Sequence, residues 1–198
     1  MALELYLDLF SQPCRSVYIF AKKNNISFDF KKLSLLDGQQ YGEDFGKISL
    51  IRKVPALRDG DFCLAESVAI MLYLAEKFKT PDFWYPADLR QRARVNEYLS
   101  WQHTAIRMHG SKIFWLRVRS PSLICVGAVR LVMSYRHHVL AVLEYPFLSA
   151  WRDRVQEAVG KELFDEAHQY ILGAQESVKS MDSSKMQVYK PKILRLFM

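Results

Sequence analysis

Three short stretches near the start of the chain hold side chains that could act on one ligand. Ser11-Gln12-Pro13-Cys14-Arg15 places a hydroxyl just ahead of a helix start, Lys53-Val54-Pro55 places a cation beside a proline, and Glu66-Ser67 places a carboxylate and a second hydroxyl ahead of another helix. The first N–H groups of a helix have no partner within it, and the helix dipole adds partial positive charge there, so both helix starts favour an anion. Proline cannot donate to a sheet, so Pro55 belongs at a strand start, and a cis bond there would turn the Val54 N–H and C=O outward to pair with an extended peptide. Ser67 suits a carboxylate, Glu66 an ammonium and Lys53, as a point charge, a second carboxylate. Taken together they describe a receptor for a peptide-like anion, with the Ser11 hydroxyl aimed at its reactive atom. Taken singly each has a plainer reading: Ser11 or Gln12 as a helix cap, Ser67 as another, Lys53 as a solvated cation.

The elements that must position these groups follow from periodicity. Leu3, Leu5, Leu7 and Leu9 alternate with polar neighbours and predict a strand. Pro13 sits where a first helical turn tolerates it, and Val17, Phe20 and Ala21 supply the stripe of a buried helix. A strand through Phe28 and Phe30, an irregular helical stretch from Asp37, strands at Ala56-Leu57 and Phe62-Cys63-Leu64 about an Asp59-Gly60 turn, and a helix striped by Val68, Met71, Leu72, Ala75 and Phe78 come next. This order predicts an α/β, thioredoxin-like domain, a four-stranded mixed sheet with helices on both faces.

With those residues in place, the text LELYLDLFSQPCRSVYIFAKKN, KVPALRDGDFCLAESVAIMLYL and WYPADLRQRARVNEYLSWQHTAIR resembles the theta class of glutathione transferases, almost without a break from Leu3 to Arg107. The resemblance implies a glutathione-binding domain over residues 1–79, a linker over 80–87 and an all-α, glutathione-transferase-type domain over 88–198. It implies glutathione as co-substrate with no permanently bound cofactor, a small hydrophobic electrophile as second substrate, and a homodimer. Carried over residue by residue, it makes Ser11 the hydrogen-bond donor to the glutathione sulfur. Gln12, Gln40, Tyr41, Lys53, Val54, Glu66 and Ser67 become glutathione-binding residues, Gln102 and Thr104 residues of the same site, and Arg107 a partner for the charge that develops on the leaving group. Theta relatives commonly carry a His or a basic residue where this chain has Gln40 and Tyr41; Gln40 keeps a hydrogen-bond donor there.

Composition is consistent with such a protein. The 198 residues, half of them hydrophobic, can bury a core in one unit or two small ones. The chain shows no apolar run long enough to span a bilayer and no secretory leader. Cys14, Cys63 and Cys125 are odd in number and lack metal-ligand spacing, which suits a reducing compartment, read as the cytosol. Cys14 near a helix start raises disulfide exchange as a rival chemistry, and a small buried thiol as the plainer one. The five histidines form no metal pattern. Residues 1–80 carry 11 Lys/Arg and 10 Asp/Glu, leaving 17 and 11 for residues 81–198, so nearly all of the net charge of +7 lies in the second half. Those cations are scattered among acids without a nucleic-acid motif, and attraction of anionic substrates such as sulfate esters uses them more simply.

Two prolines, Pro81 and Pro86, break the helical pattern and the aromatics between them predict a packed linker. A helix from Asp88 to about Arg119, stopped by Pro121, is expected to bury Val95, Leu99, Ile106 and Ile113. After Arg107 the resemblance lapses and resumes at Leu148-Ser149-Ala150-Trp151-Arg152. Several tens of residues of the family's helical domain are therefore missing or replaced by Ser120 to Tyr145, with Leu131 to Leu143 apolar enough to pack. The tail beyond Ser180 departs from the family's closing helix.

Overall fold

The computed structural model describes residues 2–110 and 146–172. The expectations for Ile113, Arg119, Pro121, Cys125, Leu131 to Leu143 and the tail beyond Ser180 lie outside the described residues.

Strand β1 (Glu4–Leu7) occupies the middle of a four-stranded sheet ordered β2-β1-β3-β4, with β2 at Asp29–Lys32, β3 at Ala56–Asp59 and β4 at Phe62–Ala65. β1 runs parallel to β2 and antiparallel to β3, and β3 and β4 form a hairpin whose Gly60 takes φ +67°, a conformation glycine adopts without steric cost. The alternation of β1 is met in full: Leu3, Leu5, Leu7 and Leu9 are all buried. On the opposite face Glu4 binds Arg58 at 2.7 Å and Lys31 at 3.5 Å, tying three strands together, and Arg58 holds the Glu4 carboxyl below the usual carboxylate range.

Helix α1 (Gln12–Lys23) buries Cys14, Val17, Phe20 and Ala21 against the sheet. A single 3-10 turn (Gln39–Tyr41) and a short helix α2 (Glu43–Ile48) fill the irregular stretch between β2 and β3. Helix α3 (Ser67–Phe78) buries Ser67, Ile70, Leu74 and Ala75, whereas Phe78 is exposed. The predicted α3 stripe was therefore rotated: apolar side chains surround this helix, so periodicity alone did not single out the face that meets α1 and the β3–β4 hairpin. Trp84 packs edge-on against Phe20 at 5.3 Å, which pins the proline-flanked segment to α1.

The chain divides into two compact units. The first comprises Met1–Leu89 and Val159–Ile171, the second Arg90–Ala158 and Leu172–Met198. Helix α6 (Lys161–Leu172) thus belongs largely with the sheet: Ala167 and Ile171 are buried, and the Tyr18 hydroxyl donates to Glu166 Oε1 at 2.6 Å. Burial and that carboxylate push the Tyr18 phenol well above its ordinary pKa.

The second unit contains helix α4 (Leu89–Gln102), which passes into a π turn (His103–Arg107), and helix α5 (Pro146–Val159). α4 buries none of its residues, contrary to the expectation of a core helix: Val95 and Leu99 are half-buried and Ile106 is exposed. Ile106 lies within the π turn, which also buries none of its residues. The wider winding of that turn shifts the helical register, so Ile106 no longer continues the line of Val95 and Leu99.

Candidate functional site

Strand register brings the first-unit candidates to one end of the sheet. Tyr6, near the C-terminal end of β1, pairs with Ala56, and Ala56 pairs with Ala65. The chain therefore leaves β1 toward Ser11, enters β3 from Val54 and leaves β4 toward Glu66 and Ser67, all at the same edge. Leu7 pairs with Lys32, which sends β2 toward Gln40 and Tyr41 at that edge as well.

Ser11 occupies the N-cap position of α1 with extended backbone, φ −81° and ψ 125°, yet its side chain makes no capping hydrogen bond. The hydroxyl is half-buried and lies beside the Cys14 thiol. Burial pushes that thiol up to about 12, so Cys14 stays protonated at neutral pH and is unsuited to disulfide exchange. Gln12 is exposed and donates from Nε2 to Ser16 Oγ at 3.0 Å.

The Val54–Pro55 peptide is cis, and Val54 is buried at the mouth of β3. Lys53 is exposed and, among the described residues, joins no ion pair. Glu66 is exposed at φ +73°, a conformation that costs free energy for a residue with a side chain and that recurs where a ligand contact compensates it. Its carbonyl accepts from Ile70 N at 2.9 Å, opening α3, and Ser67 is buried in the first turn.

Gln40 is buried, only 4% exposed, and its Oε1 finds no hydrogen-bond partner among the described residues, while the Tyr41 side chain is exposed. The neighbouring Arg52, which sequence reasoning missed, donates to the Tyr41 carbonyl and to the Gly42 carbonyl at 3.2 Å. Ser49, buried below it, donates to the Lys53 carbonyl at 3.3 Å, so the Gln40 loop and the Val54 loop are tied through one short segment. Asp8 was missed too. Its carboxylate accepts from Phe10 N at 2.9 Å and Leu35 N at 2.8 Å, fixing the turn that presents Ser11. An acid between alternating leucines carried no signal beyond a polar strand face.

The remaining candidates lie in the second unit. Gln102 donates to the Leu99 carbonyl at 3.2 Å, Thr104 to the Trp101 carbonyl at 3.2 Å, and Arg107 Nη1 lies 3.3 Å from His103 Nδ1. Among the described residues no group of three or more His, Cys, Asp or Glu could hold a metal ion, and no helix is long and apolar enough to cross a membrane.

A model of the glutathione S-transferase N-terminal domain matches residues 2–76, the stretch that carries Ser11, Val54 and Ser67. Over 96% of this chain and 97% of the relative's length, the sequence is 42% identical to glutathione S-transferase theta-3 of Mus musculus. The chain belongs to the theta-class glutathione S-transferases. The apo form of human glutathione-S-transferase T1-1 superposes with a TM-score of 0.85 at 39% identity, covering 99% of this chain and 100% of that one. A human theta-class glutathione transferase in complex with the glutathione conjugate of 1-menaphthyl sulfate superposes with a TM-score of 0.78 at 35% identity, covering 99% and 100%. The fold is the thioredoxin-like domain followed by helices that these transferases share. The mouse alignment runs over 233 positions, and 96% of 198 residues is about 190, so about 43 positions of that theta transferase have no counterpart here.

Proposed function

We propose that this theta-class transferase conjugates the thiolate of glutathione to small electrophiles, with Ser11 as hydrogen-bond donor to the sulfur. The observation that carries this reading is the Ser11 hydroxyl: it stands at the head of α1, is not used as a cap, and shares one sheet edge with Val54 and Ser67. A free thiol has a pKa of roughly 8.5, so a donor and the positive end of a helix dipole together raise the thiolate fraction at neutral pH. Val54 offers its backbone to the cysteinyl residue of glutathione. Ser67 and the first N–H groups of α3 receive the γ-glutamyl carboxylate, and Glu66 receives the ammonium. Lys53, with Gln12, Gln40 and Tyr41 near it in the scheme, receives the glycine carboxylate. The unmatched Oε1 of Gln40 accepts from a donor at the same end of the tripeptide.

The thiolate attacks an electrophilic carbon, a carbon–sulfur bond forms, and halide or sulfate departs with the electron pair; with an epoxide the ring oxygen takes that pair and then a proton. Sulfate esters are supported as a substrate class by the menaphthyl conjugate bound in the human theta enzyme. Gln102, Thr104 and Arg107 serve the electrophile side, Arg107 beside the departing charge. The functional division runs as residues 1–79 for glutathione, 80–87 as linker and 88–198 for the second substrate. The enzyme works as a homodimer in a reducing cytosol with its thiols Cys14 and Cys63 free, and takes glutathione as co-substrate without a resident cofactor.

Turnover of a benzylic sulfate ester or an epoxide with glutathione, compared between the wild type and Ser11→Ala at matched folded concentration, tests the reading. Collapse of turnover in the variant with glutathione binding kept is the expected result. Glutathione binding by a folded wild type without turnover would replace it with a non-catalytic glutathione-binding or dimerisation module.

A further inference from the structure

Among the described residues of the first unit Arg15 is the one strongly buried cation, 2% exposed at the foot of α1. Its Nη1 donates to the Leu9 carbonyl at 2.8 Å and to the Phe10 carbonyl at 3.0 Å, the two peptide groups that lead into Ser11. On the other side of the same turn, Phe10 N donates to Asp8 Oδ1 at 2.9 Å and Ser11 N to the Asp8 carbonyl at 2.9 Å. Every backbone group from the Leu9 carbonyl to Ser11 N is thereby held, with the Ser11 hydroxyl left out of the arrangement. Taking a guanidinium out of water is costly, and a helix foot that needed only packing would be served by an apolar side chain. The cation also faces α6: it lies close enough to His168 for its field to disfavour the protonated imidazole, with Asp165 acting in the opposite sense.

We propose that Arg15 is a positioning residue for the transfer reaction: it fixes the Leu9-Phe10 carbonyls so that the Ser11 hydroxyl points at the glutathione sulfur. The inference rests on the reading of Ser11 as donor to that sulfur. It places on α1 a second requirement for thiolate formation that touches neither substrate. Arg15 acts on kcat through Ser11 and leaves the groups that hold the glutathione carboxylates in place. Both carbonyls are bonded by the one nitrogen Nη1, so lysine, which keeps the charge and several donors on a shorter stem, restores the arrangement in part.

The test uses the full-length chain with Arg15→Met and Arg15→Lys, each checked for folding by thermal unfolding. The readouts are kcat and KM for glutathione and the ionisation of bound glutathione, followed by the ultraviolet absorbance of the thiolate against pH. In Arg15→Met, kcat is expected to fall by up to about a hundredfold, the scale of a misplaced reacting group, with KM changed only about threefold. The bound thiol is expected to titrate about one pH unit higher, and Arg15→Lys to recover part of both losses. Folded variants that ionise glutathione and turn over like the wild type overturn the proposal. So does failure of both variants to fold, since Arg15 is then a residue of the core alone. If the wild type itself neither ionises nor binds glutathione, it is the transferase reading that fails, and the outcome is recognisable before any variant is made.

Discussion

The described residues of the two units of this transferase differ most in how deeply they are buried. In the first, Leu5, Leu7, Leu57, Ile70 and Leu74 are wholly buried, and the turn before Ser11 has its backbone groups bonded on both sides. In the second, α4 buries nothing, and Tyr98, Trp101 and Ile106 on or next to it are exposed. A reaction that generates a thiolate needs its donor fixed to within a fraction of an ångström, whereas a pocket for varied apolar electrophiles works with side chains that can repack. The contrast matches the division proposed above, in which the first unit fixes the groups that meet glutathione and the helices of the second meet the electrophile with side chains that can repack.

The largest expected effect on that contrast is kinetic. Ser11→Ala should lower kcat/KM by about a hundredfold to a thousandfold, the usual loss of one preorganised donor, whereas Thr104→Ala in the second unit should lower it by less than about tenfold; steady-state kinetics with a sulfate ester would reverse the assignment if the order were inverted. Core truncation comes next. Leu57→Ala should cost about 2–5 kcal/mol of stability and Leu99→Ala less than about 1.5 kcal/mol, measured by urea unfolding, because only the first leaves a closed cavity. Tyr18→Phe, which removes the hydrogen bond to the exposed Glu166 carboxylate, should destabilise by about 0.5–1.5 kcal/mol, since water then solvates that carboxylate.

A smaller effect should appear with pH. Burial, aided by Arg15, holds His168 below its ordinary value of 6.5, so the unfolded chain takes up a proton that the folded chain resists. Stability is then greatest above the unfolded value and declines as the pH falls through 6.5 toward the lowered folded value. Melting temperatures of the wild type should drop across that window more steeply than those of His168→Gln.

What could be read in the sequence was local. The alternation of Leu3 to Leu9, the helix starts at Ser11 and Ser67 and the proline after Val54 are each decided by neighbours a few positions away, and each appears where expected. Three features had no local signal. The Tyr18–Glu166 hydrogen bond spans 148 positions, so nothing near either residue announced that α6 joins the first unit. Gln40 is buried despite its polarity, on a loop whose Tyr41 and Gly42 carbonyls are bonded by the distant Arg52. Ile106 is exposed within a π turn, which winds the chain by hydrogen bonding that an apolar spacing does not encode.

The membership of α6 in the first unit also bears on how such a chain can change length. Residues 90–158 are an excursion that leaves the first unit after Leu89 and returns at Val159. Closing an excursion costs entropy that grows only as the logarithm of its length, about 0.6 kcal/mol for each doubling. Tens of residues can therefore be lost or gained inside it while the sheet, its helices and the brace on α1 keep both of their chain ends. A change of length between Leu89 and Val159 thus falls outside the first unit and leaves both ends of its chain where they are.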